Sequence, residues 1–176
     1  MAVEFEPLTQ NSVTTYCQVG TQSYKEHYLY LWQRQDPTPY LSTSFIEEVV
    51  QRELNDPNCC NFLVKSDNEN AGILKISIDY PWGEWNAKDA LYLHRIYLLS
   101  SATGKNVGTS VLNFVEEMAQ KFSKKIVWLE TMKKGRAKAF YQNNGYQIIG
   151  ESAVELPGVL PSESGMWVVA KVLKAV

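Results

Sequence analysis

The sequence predicts an α/β (α+β) protein with seven strands and four interspersed helices. Two observations predict this fold class. Segments with the period of a strand and segments with the period of a helix alternate in the order strand, two helices, three strands, helix, strand, helix, two strands. No repeat, low-complexity tract or Gly/Ser-rich linker divides the 176 residues, and a chain of this length buries about 70% of its unfolded surface. We therefore expect a single domain over residues 1–176.

The first elements are a short strand and two helical segments. Residues 3–8 (VEFEPL) alternate in polarity as a strand does. Residues 11–31 and 43–54 have helical patterning, and the two prolines of RQDPTPY break the pattern between them. The tyrosine-rich stretch YKEHYLYLWQ fits either a core face or the partly exposed wall of a groove.

The second helical segment carries a signal for a helix start. Ser44 is followed three residues later by Glu47, which is the spacing of a capping box. Phe45, Val49 and Leu54 are then placed to face a core.

Three strand-like segments follow from Asn61 onward. Their sequences are NFLVKS, AGILKISIDY and ALYLHRIYLL. The turn DNENAG between the first two is of the hairpin kind, and the loop PWGEWNAKD precedes the third. We therefore expect the three strands to be antiparallel neighbours.

The second half of the chain begins with its most regular helix, TGKNVGTSVLNFVEEMAQKF. Apolar residues recur there at helical spacing, at Val111, Leu112, Val115, Ala119 and Phe122. The strand KIVWLET, the short helix GRAKAFYQNN closed by Gly145, and the strands YQIIGESAVE and MWVVAKVL complete the predicted elements.

The charge balance argues against general nucleic-acid binding. Lys and Arg number 17 against 19 Asp and Glu, which gives a net charge of -2, whereas nonspecific nucleic-acid binding needs a positive field. The first ten residues, MAVEFEPLTQ, do not have the pattern of a signal peptide, and no apolar run is long enough to cross a bilayer. We expect a cytoplasmic protein with neither nucleic acid nor membrane as a partner.

The cysteines and histidines do not suggest a metal site. Cys17, Cys59 and Cys60 are odd in number and lack the C-x-x-C spacing of zinc or redox motifs, so we expect reduced, partly buried thiols. His27 and His94 are the two histidines of the chain, too few for a His-rich metal centre.

The most informative stretch is LYLHRIYLLSSATGKNVGTSVL, in which a strand runs through a loop of small residues into the regular helix. The first N–H groups of a helix lack partners and carry partial positive charge, so such a junction can bind an anion. Gly104 and Gly108 leave backbone uncovered, Lys105 adds charge and Thr109 offers a hydroxyl. The alternative is that Gly104 ends a turn and Thr109 caps a helix.

Two known phosphate motifs do not fit this junction. A P-loop needs Ser or Thr after its Lys and a Gly five residues before its second Gly, but Asn106 follows Lys105. The G-x-G-x-x-G spacing of a dinucleotide fold is also absent. ATPase and NAD-dependent functions are therefore disfavoured.

The runs RIYLLSSATGKNVGTSVL and RAKAFYQNNGYQIIG resemble the acetyl-CoA core of the GCN5-related N-acetyltransferase (GNAT) superfamily. The tyrosine-rich strand, the FYQNNGY element and the helical segment before CCNFLV are most similar to its PaiA-like branch, which is linked to spermidine and spermine acetylation. The resemblance covers about residues 21–173. It implies a GNAT-like three-layer fold, in which a mixed, mostly antiparallel seven-strand sheet is flanked by helices, and it implies acetyl-CoA as cosubstrate.

The resemblance also implies which residues hold the cosubstrate. The strand ending in Ile96, Tyr97 and Leu98 should splay from the next strand and pair its backbone with the pantetheine arm. The loop should wrap the pyrophosphate with the amides of Gly104, Lys105, Asn106, Val107, Gly108 and Thr109. Lys134, Ala137 and Tyr141 are expected at the same site.

The loop departs from the family pattern of Gln or Arg, two residues, Gly, one residue, and Gly or Ala. Thr103, Asn106 and Gly108 stand at those positions. Asn accepts a left-handed backbone better than most residues, so the loop can keep its shape. Lys134 replaces the usual Asn, where it either meets cofactor phosphate or is solvated.

The family role of general acid falls on Tyr141, the tyrosine of the FY element, which would protonate the departing thiolate. A phenol is a credible donor at neutral pH. The alternative is that Phe140, Tyr141 and Tyr146 are aromatic core at a helix end.

The general base has three candidates: two side chains and a water chain. Period-2 alternation predicts that Tyr92, His94, Ile96 and Leu98 share one face of their strand. His94 has a suitable unperturbed pKa but can instead be structural. Glu130 on the neighbouring strand is the other candidate, with a surface carboxylate as its alternative role, and a water chain can replace both.

The acceptor is expected opposite the cosubstrate, between the first helices and the loop after Asp79. Aromatic and acidic residues that suit a cationic amine lie on the two sides, at Tyr24, Tyr28, Tyr30, Trp82, Glu84 and Trp85. They can instead cover the sheet edge or form a dimer contact. We predict direct acetyl transfer to a primary amine, with a polyamine first, and keep a catalytically idle acyl-CoA-binding module as the alternative.

Overall fold

The structure is a computed structural model that describes residues 2–174. Its strands are β1 (Val3–Pro7), β2 (Cys59–Ser66), β3 (Glu69–Ser77), β4 (Ala90–Leu98), β5 (Ile126–Met132), β6 (Gln147–Ala153) and β7 (Gly165–Val172). Its α-helices are α1 (Val13–Tyr28), α2 (Thr38–Ser44), α3 (Glu47–Leu54), α4 (Val107–Lys121) and α5 (Ala137–Asn143). Within residues 2–174, the helices are too short or too polar to cross a bilayer.

One sheet contains all of these strands, in the order β1-β2-β3-β4-β5-β7-β6. Neighbours are antiparallel except β4 and β5, which are parallel. Helices α1 and α3 pack on one face of the sheet, and α4 and α5 pack on the other. The predicted class, a mixed and mostly antiparallel seven-strand sheet between helices, is confirmed.

The hairpin predicted between β2 and β3 is present. Its tip is formed by Asp67 and Asn68, whose φ angles are 52° and 66°. Two consecutive positive φ values characterise the tight turn that matches the twist of a hairpin, and Asp and Asn adopt them more readily than most residues.

The region between α1 and α3 differs from the prediction. The proline-rich segment does not simply break the helix but forms α2, because Pro39 lies in the first turn, where a missing N–H costs nothing. The Thr38 N–H donates to Asp36 Oδ1 at 3.0 Å and closes that end.

The predicted capping box is wrong. Ser44 is the last residue of α2, and Ile46 precedes α3 without a side-chain cap. The Glu47 carboxylate accepts a hydrogen bond from Thr14 at 2.6 Å instead. Val50 rather than Val49 is the fully buried valine of α3.

Helix α4 packs as its pattern predicts, with one exception. Val111, Leu112, Val115 and Ala119 are all fully buried against the sheet. Phe122 follows the last helical residue and is 39% exposed, so it is not part of the apolar stripe. The helix is thereby held firmly with its first turn next to the end of β4.

The three cysteines are free, as predicted. Cys17 is buried, and Cys59 and Cys60 are half-buried. Burial raises the pKa of each thiol, in Cys17 to about 11. All three are therefore poor nucleophiles at neutral pH.

A split between β4 and β5 is the feature that positions the site. Their parallel pairing consists of Ala90–Tyr92 against Ile126–Trp128. Beyond Tyr92 the two strands separate, while β4 stays paired with β3 as far as Leu98. This opens a wedge-shaped cleft in the sheet, close to the first turn of α4.

Candidate active site

A β-bulge in β4 lies where the cleft begins. Leu93 pairs with Ile76 and Arg95 pairs with Lys75, so His94 is an extra residue without a partner on β3. A bulge interrupts the alternation of side chains along a strand.

The predicted sharing of one face by four residues of β4 is therefore wrong. Ile96 and Leu98 pack on the α4 side of the sheet. Tyr92 belongs to a separate aromatic cluster with Trp128, and its ring stacks on that of His94 with centroids 5.1 Å apart. The bulge after Leu93 divides the strand into two differently phased parts.

A groove of about 640 Å³, which we call the outer groove, runs from the free edge of β4 to the start of α4 and to α5. Most residues predicted to bind the cosubstrate line it: Ile96, Tyr97, Leu98, Gly104, Asn106, Val107, Gly108, Thr109, Ala137 and Tyr141. His27, Tyr28, Arg136 and Phe140 also line it but were not among the predicted residues. Arg136 and Phe140 flank Ala137 in the second sequence motif, which is a signal that could have found them.

The loop before α4 has the conformation that anion binding needs. Gly104 and Asn106 both have left-handed backbones, with φ of 75° and 59°, so the prediction that Asn106 tolerates this conformation is confirmed. Gly108 lets α5 come close, because a Cβ there would lie 3.0 Å from the Phe140 ring. In the described chain, the N–H groups of residues 104–109 have no hydrogen-bond acceptor.

Two predicted lysines lie outside the lining of the outer groove. Lys105 is exposed at the tip of the loop. Lys134 forms a surface ion pair with Glu163 at 2.5 Å. Sequence spacing placed Lys134 near the second motif but gave no sign of this partner from a distant loop.

A smaller cavity of about 220 Å³, the inner cavity, adjoins the outer groove and shares Tyr28, Ile96, Tyr97, Ala137 and Tyr141 with it. The three predicted catalytic residues, Tyr141, His94 and Glu130, all line the inner cavity. Residues from α1, α2, β4, β5, α5 and the loop after β6 form its walls. A ligand in the outer groove and a second one in the inner cavity would therefore meet beside Tyr141.

Tyr141 holds a proton at the junction of the two cavities. Its side chain is buried where the two cavities meet, and within the described chain its hydroxyl has no hydrogen-bond partner. Burial raises the pKa of this phenol well above its ordinary value, so it remains protonated at neutral pH.

The His94 ring reaches solvent in the inner cavity, yet protein surrounds much of it. This partial burial lowers the pKa of His94, and the positive charges of Arg95 and Lys75 lower it further. The shift is smaller in an open cavity than in a closed core, but its direction keeps the imidazole neutral at pH 7.

Glu130 is oriented by a tyrosine that sequence reasoning left without a role. The Tyr92 hydroxyl donates a hydrogen bond to Glu130 Oε2 at 2.8 Å. Burial and the nearby Glu130 charge raise the pKa of Tyr92, so this hydroxyl stays a donor. Glu130 itself is half-buried and lines the inner cavity.

The aromatic residues predicted for the acceptor side fall into two groups. Tyr24 and Tyr28 line the inner cavity, whereas Tyr30 does not. Trp82, Glu84 and Trp85 are absent from its lining. Trp82 instead packs on Trp128, with ring centroids 4.9 Å apart, so this loop covers the sheet.

A buried ion cluster lies beneath the bulge. Glu53 from α3 pairs with Lys75 Nζ at 2.7 Å and with Arg95 Nη1 at 3.1 Å, and all three side chains are almost fully buried. Arg95 also lies over the Phe45 ring. The cluster ties α3 to the stretch of β4 that carries His94.

The split between two strands and the free amides at the start of α4 form a crevice of the kind in which open-sheet α/β proteins bind anionic ligands. The sequence profile of the acetyltransferase (GNAT) family matches residues 24–146, which is more than half of the chain. The chain belongs to this family.

A curated relative is described as an uncharacterized N-acetyltransferase in the pepI 3′ region of Lactobacillus delbrueckii subsp. lactis. It is 30% identical over 112 residues, which are 63% of this chain and 65% of the relative. The aligned part of the chain thus spans a little less than two thirds of that protein.

Solved structures share the fold at low sequence identity. The PaiA N-acetyltransferase from Thermoplasma acidophilum, in complex with coenzyme A, has a TM-score of 0.76 at 16% identity and covers 98% of this chain and 100% of its own. The spermidine/spermine N-acetyltransferase SpeG from Vibrio cholerae has a TM-score of 0.68 at 14% identity, with 97% and 92% covered. These likenesses confirm the predicted fold.

Proposed function

We propose that the protein is an N-acetyltransferase that moves an acetyl group from acetyl-CoA directly to a primary amine. The observation that carries this proposal is the junction of the outer groove and the inner cavity at Tyr141. Family membership supports it, as does the coenzyme A complex of the similar PaiA structure. Acetyl-CoA would occupy the outer groove and the amine the inner cavity.

The groups that line the outer groove fit this cosubstrate. The free amides of residues 104–109 and the positive end of α4 suit a pyrophosphate. The free edge of β4 beyond Tyr92 suits an extended chain of amides, which would complete the missing strand pairing.

In the proposed reaction the amine nitrogen attacks the thioester carbonyl, the new C–N bond forms and the C–S bond breaks. The chain contributes chiefly by holding the two reactants at the junction, because proximity removes much of the entropic cost. Tyr141 gives its proton to the departing thiolate sulfur and regains one from the nitrogen, which sheds a proton as the amide forms. A backbone N–H at the free edge of β4 polarises the carbonyl.

The amine must lose a proton to become a nucleophile, and we assign that proton to Glu130, directly or through water. Glu130 is held by Tyr92 at the inner cavity. His94 is the weaker candidate, because its lowered pKa makes it a poor base toward an ammonium group.

The acceptor we propose first is a polyamine such as spermidine or spermine. The inner cavity combines tyrosine rings with the Glu130 carboxylate, which suits a cationic alkylamine. Among the described residues, the one cation that lines this cavity is Arg95, and it is already paired with Glu53. A spermidine/spermine N-acetyltransferase is among the similar structures.

A thiol-release assay with acetyl-CoA and a panel of amines tests this function. We expect turnover with spermidine or spermine, and activity on peptide N-termini or aminoglycosides with none on polyamines would reject the polyamine assignment. Tyr141→Phe should lower kcat about 100-fold while leaving the Kd of coenzyme A unchanged. Tyr80→Phe is the matched control, since Tyr80 is 45% exposed and lines neither cavity.

A catalytically idle acyl-CoA-binding module is the second candidate. The observations that favour it are Asn106 at a family glycine position and the pairing of Lys134 with Glu163. Tight coenzyme A binding without turnover of any amine would support this alternative.

The working state of the protein is also part of the proposal. We propose a single acetyltransferase domain that acts in the cytoplasm, with a homodimer as its candidate assembly. Cell fractionation and sedimentation equilibrium test the two assignments.

A further inference from the structure

The free edge of β4 presents backbone groups at known positions. The Leu99 N–H bonds to the Ala71 carbonyl on β3 at 2.8 Å. Because successive residues of a strand point their backbone groups to opposite sides, those of Leu98 and Ile96 point away from β3 and into the cleft. An extended ligand in the outer groove would pair with these groups.

One of these groups already has a partner from α1. His27 Nε2 lies 3.0 Å from the Leu98 carbonyl oxygen, and the Nε2–H tautomer donates to it. His27 is exposed and lines the outer groove. Its imidazole thus occupies the hydrogen-bonding position that an amide of an incoming ligand would use.

A second contact fixes the place of His27. Glu26 Oε2 accepts a hydrogen bond from the Ser100 N–H at 2.7 Å, and its Oε1 accepts one from Gln22 at 2.9 Å. These contacts hold the last turn of α1 against the end of β4. His27 therefore stays beside Leu98 through its neighbour as well as through its own bond.

We propose that His27 controls the loading of acyl-CoA by competing with the pantetheine arm for the Leu98 carbonyl. This inference rests on the proposed function, since it takes the extended ligand to be the pantetheine arm of coenzyme A. The arm displaces the imidazole when an amide N–H of the ligand takes its place. One hydrogen bond is exchanged for another, so coenzyme A binds more weakly than it would to an unoccupied edge.

Isothermal titration with coenzyme A tests the competition. His27→Ala should lower the Kd of coenzyme A about 3- to 10-fold, which is the scale of one neutral hydrogen bond. His27→Gln keeps an N–H donor and should restore a Kd close to that of the wild type. Gln18→Ala, an exposed change on α1 outside both cavities, should leave the Kd unchanged.

Adenosine 3′,5′-bisphosphate separates this role from a general effect on the loop. It carries phosphates but no pantetheine arm, so its Kd should be the same in the wild type and in His27→Ala. An unchanged or raised Kd of coenzyme A in His27→Ala, or an equal gain for the bisphosphate, would overturn the competition alone. Failure of the wild type to bind coenzyme A would overturn the proposed function and this inference with it.

Discussion

His94 shows how one extra residue changes the chemistry of a strand. Regular alternation would place it on one face with Ile96 and Leu98, but the bulge separates it from them. The four residues after the bulge, 95–98, stay paired with β3, so the strand pairing loses a single position. In exchange, a histidine points into the inner cavity next to Tyr92.

The lowered pKa of His94 predicts that acid destabilises the protein. Its folded pKa lies below the value of about 6.5 for an unfolded chain, so the unfolded state binds the proton more readily as the pH falls below 6.5. This contribution to stability is present above about pH 6.5 and is lost as the pH falls from there toward the lowered folded pKa. Urea midpoints of His94→Gln should therefore depend less on pH between 7 and 4.5 than those of the wild type. Parallel pH profiles for the two proteins would contradict the shift.

Residue-scale prediction from the sequence succeeded where a residue's own backbone preference decides. Asp67, Asn68 and Asn106 all adopt the left-handed conformation that Asp and Asn tolerate. Prediction failed where a partner far away in the sequence determines which contact a side chain makes. The pairing of Lys134 with Glu163 and of Glu47 with Thr14 depends on tertiary contacts that spacing along the chain does not encode.

At the scale of elements, α3 is joined to the sheet by charge as well as by apolar packing. Glu53 is the only carboxylate paired with Lys75 and Arg95 in the described chain, and it joins strands β3 and β4 to the helix. Glu53 thus supports the bulge in β4 from helix α3, which lies about 40 residues earlier in the chain.

Removal of the Glu53 charge should be strongly destabilising. Glu53→Gln would leave two buried cations without a counter-charge, and we expect a loss of about 3–5 kcal/mol in the free energy of unfolding. Urea denaturation measures it. Glu6→Gln, which removes the partner of Lys65 in an exposed ion pair, is the matched control and should cost much less. Equal losses in the two variants would show that the cluster is not a buried charge network.

The start of α4 depends on the left-handed residue before it. Asn106→Gly should fold as stably as the wild type and bind coenzyme A at least as well, because Gly adopts a positive φ freely. Asn106→Val should lose about 1–2 kcal/mol, since a β-branched residue is strained there. Lys105→Val is the control for stability, because Lys105 is exposed and its φ is not positive. Indistinguishable unfolding curves for the two valine variants would argue against backbone strain at Asn106.

Element prediction was reliable for regular patterns and poor for irregular ones. The strands, the hairpin and α4 follow from periodicity and turn residues. The sequence pattern does not predict helix α2, because proline usually breaks a helix, whereas the first turn of α2 accepts Pro39. The bulge at His94 was missed because an inserted residue leaves no mark on the apolar pattern of β4.

At the scale of the whole molecule, two groups of strands meet at a short seam. Strands β1–β4 and β5–β7 are joined by pairing over Ala90–Tyr92 and Ile126–Trp128. The core beneath α4 spans both groups and contains residues of β3, β4, β5 and β7. Side-chain packing beneath α4 thus joins the two groups of strands where the pairing between β4 and β5 is missing.

Hydrogen–deuterium exchange should report this architecture. Amides of Ile96 and Leu98 face the cleft and should exchange faster than those of Tyr97 and Leu99, which pair with β3. Saturating acetyl-CoA should slow the first pair and leave the second unchanged. Exchange of all four at one rate, unaffected by acetyl-CoA, would contradict a free edge that takes up the ligand.

The global arrangement was accessible from the sequence only through the resemblance to a family. Strand order and the parallel step from β4 to β5 are not encoded in periodicity, which describes elements one at a time. The position of the loop containing Trp82 follows neither from periodicity nor from the resemblance. The sequence predicts this loop at the acceptor site, but the Trp82 ring packs on Trp128 and Gly150 instead.

The split sheet has a further consequence for how the protein behaves in a crowded cell. Unpaired strand edges usually recruit strands of other proteins and start aggregation. Here the unpaired edge of β4 lies between two strands that close together at Tyr92 and Trp128, not at the border of the sheet. A strand of another protein carries side chains and is attached to its own sheet, so it is too wide to pair with this edge inside the narrowing wedge. A thin, unbranched ligand chain fits there. The protein thus keeps an open hydrogen-bonding edge without the usual danger of self-association through it.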